Sequence, residues 1–189
     1  LSGFKADLVS IGKLCKQHNV IFCVDSIQGL GAVPLDVQAA QIDFLSNGGN
    51  KWLMGLMGLG FVYVSAELQE HIEQRYMGWA SNKHFFGDFF RYRIDLDETA
   101  RRYENGTQNY LAIAALGEST SILLEIGIAN IHRHLLSLTD QIIAFCDANG
   151  FALVTPREQT KRAGIVTIKH PEAKTIFNDL IEQRIFVSL

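Results

Sequence analysis

Cysteine and proline are scarce in this sequence: 189 residues contain three of each. Cys15, Cys23 and Cys146 are odd in number and follow neither a CxxC nor a mixed Cys/His ligand spacing. That excludes a disulfide framework and an obvious zinc site, and no metal is expected. The thiols are expected to be buried and free. No apolar run approaches the ~20 residues of a membrane span, and no basic segment precedes an apolar one at the start. A formal net charge of -3 leaves no basic excess, so neither nucleic acid nor a membrane surface is an expected partner, and the expected location is the cytoplasm. Internal repeats, linkers and low-complexity tracts are also missing. What is there is a composition 48% hydrophobic and 20% charged, enough apolar surface to offset the entropy of ordering and to exclude a disordered chain. The length suits one large domain or two small ones. The sequence opens on Leu1-Ser2-Gly3 and closes on the apolar run Ile185-Phe186-Val187-Ser188-Leu189, read as a strand with nothing after it. It is therefore expected to be part of a longer chain.

Along the sequence, apolar residues recur at helical spacing from Lys5 to Gln17, and His18-Asn19 marks a stop. Val20 to Val24 is a short continuous apolar run, the pattern of a strand buried on both faces of a parallel sheet, and it ends on Asp25. In open α/β sheets the ligand crevice lies beyond the carboxyl ends of the strands, which is where Asp25 falls. Ile42–Ser46 and Phe61–Val64 are further strand candidates on either side of a glycine-rich stretch. Residues 76–106 form a long aromatic excursion with Trp79, Phe85, Phe86, Phe89, Phe90, Tyr92 and Tyr103, which lines a cleft or an interface or simply packs. Helical periodicity returns from Tyr110 to about Ala148, broken near Gly127 and capped by Asn149-Gly150. Strands are expected at Phe151–Val154 and Gly164–Ile168, and Pro171 is expected to open a helix running to Gln183. The order is α/β first and a smaller α+β unit second.

Lys51 stands among glycines and apolar residues, and burial there would disfavour the ammonium form, as a Schiff-base lysine requires. The flanking glycines allow close backbone approach and offer N–H groups to a phosphate, although the order is neither that of a P-loop nor of a dinucleotide fingerprint. Asp25 either caps the following turn or is a carboxylate awaiting a cation such as a protonated pyridine nitrogen. Gln28, one helical turn on, is placed to hydrogen-bond a substituent of the same ring. His132 and His134, two apart on a helix, point to different faces and make a poor metal pair. Arg101 and Arg102 suit a substrate carboxylate, or an ion pair with Glu98 or Glu104.

Val24-Asp25-Ser26-Ile27-Gln28-Gly29-Leu30-Gly31 through Asp36, then Asp43-Phe44, then Lys51-Trp52-Leu53 with Gly55, Gly58 and Gly60 before Phe61-Val62-Tyr63-Val64, then Arg102-Tyr103-Glu104 with Gly106-Thr107 and Asn109, resemble the class V aminotransferases. These are fold-type-I pyridoxal-phosphate enzymes that include cysteine desulfurases, selenocysteine lyases and isopenicillin-epimerase-like proteins. The resemblance implies an α/β fold: part of the large cofactor domain over residues 1–117, a mostly parallel sheet with helices, then a truncated small α+β domain over 118–189. It implies a pyridoxal 5'-phosphate cofactor bound through a Schiff base to Lys51, with Asp25 on the pyridinium nitrogen and Gln28 on the 3-hydroxyl. Asn50, where the family commonly has His, still offers a donor to the phosphate, and Leu56 replaces a common Pro. Gly106 and Thr107 match the segment that reaches the neighbouring subunit's cofactor, so a homodimer is implied.

The expected activity is chemistry on an amino acid, by transamination or by a lyase or epimerase route, because these share their first covalent step. The alternatives are cysteine desulfurase or selenocysteine lyase and, in another class, a cofactor-less scaffold. None of the three cysteines suits a desulfurase nucleophile, and the family's own would fall beyond Leu189. With half of the family's chain in hand, the cofactor is expected to be held weakly or not at all.

Overall fold

The computed structural model describes residues 2–84, 87, 90 and 93–189. They fall into two compact units, Leu8–Gly127 and a second made of Ile128–Leu189 with the residues up to Asp7.

The first unit begins with helix α1, Leu8–Gln17. It starts three residues later than the periodicity predicts, because the residues up to Asp7 belong to the other unit. Gly12 is buried on it, and a Cβ there would lie 1.9 Å from the Ala40 carbonyl oxygen, so only glycine lets the helix approach that backbone. The helix stops at His18-Asn19, where Asn19 adopts φ 52° and Val20 N donates to Cys15 O at 2.9 Å. Strand β1, Cys23–Asp25, pairs in parallel with β2, Phe44–Gly48, in the register Cys23↔Phe44 and Asp25↔Ser46. Strand β3, Gly60–Val64, pairs antiparallel to β2. The three-stranded sheet, ordered β1-β2-β3, is thus mixed rather than mostly parallel.

Its core is Ala40, Ile42 and Leu45, with Leu8, Phe22, Val24, Leu35, Val37 and Tyr63 packed around it. Only alternate members of the run 20–24 reach that core. Phe22 and Val24 do, whereas Val20, Ile21 and Cys23 are exposed, which corrects the expectation of a strand buried on both faces. One face of the strand lies on that core and the other faces solvent. Cys23 is therefore an exposed thiol and Cys15 a half-buried one, and Cys146 alone is fully buried.

Helix α2, Ala66–His71, escaped the sequence reading; Ser65 caps it by accepting from Leu68 N at 3.1 Å. Short 3-10 turns follow at Trp79–Ser81 and Ala100–Tyr103. Gly78, the residue before the first of them, admits no side chain, since a Cβ would sit 1.8 Å from the Asn105 carbonyl oxygen. Phe85, Phe86, Phe89 and Tyr92 of the aromatic excursion lie outside the described residues. Helix α3, Tyr110–Ile126, is capped by Asn109, whose Oδ1 accepts from Ala112 N at 3.1 Å, and ends at Gly127 with φ 86°. The two units divide at Gly127, where helical hydrogen bonding ends on a residue with positive φ.

The second unit is built on helix α4, Ile128–Ala148, ended by Gly150 at φ 72°. Strand β4, Ala152–Leu153, pairs antiparallel with β5, Ile168–Lys169, and helix α5 spans Ala173–Glu182. Arg162, 1% exposed, anchors the unit: it donates to Asp140, to Thr139 Oγ1 and to the Arg157 carbonyl oxygen. Thr155, also buried, bridges by donating to Ser2 O at 2.9 Å and accepting from Thr167 N at 2.7 Å. Residues 185–189 form no strand; they are extended and exposed, having no ladder partner among the described residues. No single helix among the described residues is long and apolar enough to cross a membrane.

Candidate functional site

Because β1 and β2 run parallel, their carboxyl ends lie at one edge of the sheet, and the sequence-predicted residues leave from that edge. Asp25 closes β1, and its Oδ1 accepts from Ile27 N at 3.0 Å, which begins a turn. Ser26, buried beside it, ties the two strand ends together. Its N–H donates to Ser46 O at 2.9 Å, and its Oγ lies 2.9 Å from Asn47 Oδ1 and 3.0 Å from Ser46 O. Asn47 is also buried and donates through Nδ2 to Gly48 O at 2.7 Å. Gln28 rides on the turn so formed, which closes with Gly29 N and Leu30 N donating to Ser26 O.

The loop from Gly49 to Leu59 carries Lys51. It is closed at its base by Gly49 N donating to Leu59 O at 2.9 Å and braced by Gly55 N to Gly49 O and Met54 N to Lys51 O. Its glycines serve packing. A Cβ at Gly55 would meet Gly49 O and Leu116, and one at Gly31, which has φ 95°, would meet the Trp52 carbonyl oxygen at 2.8 Å. The Trp52 indole N–H donates to Gln28 Oε1 at 3.1 Å, joining the residue after Lys51 to the Asp25 turn. Lys51 itself is exposed, which corrects the expectation of burial; its apolar neighbours Met54, Leu56 and Met57 are 59%, 49% and 83% exposed and enclose nothing. Asn50 is exposed as well, with its Oδ1 turned toward Gly48.

An open cleft of about 660 Å³ lies within this unit, lined by Asp25, Ile27 and Gly48 and by Arg101, Tyr103 and Gln108 from the later segment. Gln28, Asn50, Lys51, Gly106 and Thr107 do not line it. The Tyr103 hydroxyl is buried and has no hydrogen-bond partner among the described residues. Thr107 is exposed, and Gly106 lies under Trp79, whose Nε1 would be 3.5 Å from a Cβ there. The arginines do not pair as expected. Arg101 faces Asp97 at 4.0 Å, and Arg102 exchanges hydrogen bonds with Gln74, through Nε to Oε1 at 3.0 Å and from Gln74 Nε2 to its carbonyl oxygen at 2.5 Å. Glu98 instead pairs with Lys83 at 2.7 Å. Asp97 is held below the usual carboxylate range by the Thr99 hydroxyl and then by Thr99 N–H. Ser26, Asn47 and Trp52 escaped the sequence reading as site residues; the signal was their adjacency to Asp25 and Lys51.

The donor set fits a pyridoxal-phosphate group. Asp25 keeps one carboxylate oxygen without a hydrogen bond, Gln28 keeps both amide N–H groups, and Lys51 has no ion pair, all among the described residues. These are an acceptor for a cationic ring nitrogen, donors for a phenolic oxygen and an amine for an aldehyde.

Asp25 closes β1, Gln28 lies on the turn after it and Lys51 on the loop after β2, at the strand ends where α/β proteins bind their ligands. The chain belongs to the aminotransferase class-V family, whose model matches residues 1–188. It is 29% identical over 187 residues to the kynureninase of Pseudomonas fluorescens, covering 96% of this chain and 44% of that one. The apo structure of cysteine desulfurase from Thermococcus onnurineus NA1 superposes with a TM-score of 0.88 at 26% identity, over 98% of this chain and 46% of that one. A mutant of C-DES with glycine covalently linked to its PLP cofactor superposes with a TM-score of 0.83 at 23% identity, over 99% of this chain and 50% of that one. The mixed α/β fold therefore matches fold-type-I PLP enzymes over part of their length, and members of the family bind PLP. The chain spans about half the length of the relatives it matches.

Proposed function

We propose that this chain carries the cofactor lysine of a pyridoxal-phosphate enzyme acting on an amino acid, by transamination or by lyase or epimerase chemistry. One observation carries the reading: the Asp25 turn and the Lys51 loop are locked together at the carboxyl ends of two parallel strands by the Trp52–Gln28 hydrogen bond. When bound, the cofactor supplies an electron sink for the pair left at the substrate's α-carbon. Asp25 is the carboxylate that keeps the ring nitrogen protonated, and Gln28 donates to the 3-oxygen. Lys51 Nζ is the attachment point and, once released, the base that takes and returns a proton. Asn50 offers an amide donor to the phosphate. In this reading Gly106 and Thr107 serve the cofactor of a partner subunit in a homodimer.

A desulfurase or selenocysteine lyase is the alternative within the family. It has the desulfurase relatives behind it but no suitable thiol here, since exposed Cys23 is held in β1 and Cys146 is buried. A fragment or cofactor-less scaffold without catalytic activity is the reading from another class; the chain spans about half of its relatives' length. Incubation with pyridoxal phosphate followed by borohydride and mass spectrometry tests the proposal. A phosphopyridoxyl group on Lys51 supports it, and modification spread over the surface lysines contradicts it.

A further inference from the structure

An indole N–H can only donate, so the Trp52 hydrogen bond at 3.1 Å fixes which end of the Gln28 amide faces it: the oxygen. The two N–H donors of Gln28 then face away from Trp52 and have no partner among the described residues. Without that bond the amide is free to turn over, and an oxygen would replace the donors at the same position. Trp52 and Gln28 are 24 residues apart in sequence and come from different loops, so the contact is tertiary and made by no local turn. The Trp52 backbone is held as well: its carbonyl oxygen lies against Gly31, whose φ of 95° and missing Cβ allow that approach. Trp52 is thus anchored at its backbone by one segment and at its indole by Gln28, and it is the residue next to Lys51.

We infer that Trp52 is a positioning residue for the cofactor: it holds the Gln28 carboxamide in the one orientation that presents donors to an anionic ring oxygen. The inference rests on the functional reading above. It assigns no contact between Trp52 and the cofactor; Trp52 acts through Gln28.

The test is a double-mutant cycle on pyridoxal-phosphate affinity, with uptake titrated to millimolar concentration and Lys51→Ala as the specificity control. Gln28→Ala weakens uptake by about 10-fold, the loss of a hydrogen bond to a charged group, and Trp52→Phe by about 3- to 10-fold. Trp52→Phe/Gln28→Ala equals Gln28→Ala alone, because the indole has nothing left to orient. Gln28→Glu is read beside them. It keeps the acceptor for the indole but loses the donors, so it falls at least as low as Gln28→Ala, and it gives an answer even if Trp52→Phe does not fold. Additive losses in the cycle or Trp52→Phe with wild-type affinity would each overturn the inference while leaving the cofactor reading intact, and Gln28→Glu with wild-type affinity would overturn it together with the role given to Gln28, leaving only the Lys51 attachment. Absence of Lys51-dependent uptake in the wild type would overturn both.

Discussion

Gly31→Ala and Gly117→Ala are the same chemical change with opposite expected signs. Gly31 has φ 95°, and its new Cβ would lie 2.8 Å from the Trp52 carbonyl oxygen and 2.9 Å from the carbonyl carbon, both backbone atoms that move only with the Lys51 loop. The left-handed conformation costs an alanine about 1–2 kcal/mol, and overpacking against fixed backbone adds about 1–3 kcal/mol. The smaller entropy of the unfolded alanine chain returns about 0.4–1 kcal/mol, leaving a net loss of about 1–4.6 kcal/mol. Gly117 lies inside α3 with nothing within 4 Å of its would-be Cβ. Alanine there gains about 0.5–1 kcal/mol from helix propensity. Both tryptophans of the chain, Trp52 and Trp79, lie in the Leu8–Gly127 unit, so urea unfolding followed by indole fluorescence reads that unit directly. A Gly31→Ala protein as stable as wild type would refute the packing described for the Lys51 loop, and a Gly117→Ala protein less stable than wild type would refute the open surroundings described for that face of α3.

Other outcomes follow from the same geometry. Asp140→Ala strands the Arg162 guanidinium at 1% exposure and costs about 3 kcal/mol, at the lower end of the range because Asp140 is itself 45% exposed; far-UV circular dichroism in urea measures it. Acid weakens the fold. Glu67, Asp97, Asp147 and Glu158 are held below their ordinary range by Lys16, Thr99, Arg157 and Lys161 respectively, so the stability they contribute is present above the unfolded carboxyl values and lost as pH falls through the folded ones. Thermal midpoints should drop as pH is taken below about 4, and salt near 1 M should flatten the contribution of the three ion pairs but not that of Asp97, whose main partner is a neutral hydroxyl.

Local pattern carried the reading furthest where a single element decides its own ends. α4 and its stop at Gly150, and the break at Gly127, follow from periodicity and a glycine that takes positive φ. The run 20–24 misleads because five consecutive apolar residues look alike whether one face is covered or two; only the packing against the core shows that Val20, Ile21 and Cys23 lie outside. Residues 185–189 read as a strand for the same reason, and a strand exists only with a partner. Apolar neighbours suggest burial of Lys51, yet Met54, Leu56 and Met57 are themselves exposed, and the buried Leu53 leaves the lysine in solvent. Asp25, Gln28 and Lys51 were legible as candidates by residue type and position. The Ser26–Asn47 clamp and the Trp52–Gln28 bond span 21 and 24 residues, and no local pattern encodes them.

The central claim is that Lys51 is the attachment point of a pyridoxal-phosphate cofactor. Mass spectrometry after borohydride reduction of the protein incubated with pyridoxal phosphate tests it most directly. The expected result is that the phosphopyridoxyl group taken up, at whatever occupancy, lies on Lys51 and is missing from Lys51→Ala. An adduct that persists in Lys51→Ala, or one shared among exposed lysines such as Lys16 and Lys161, would contradict it.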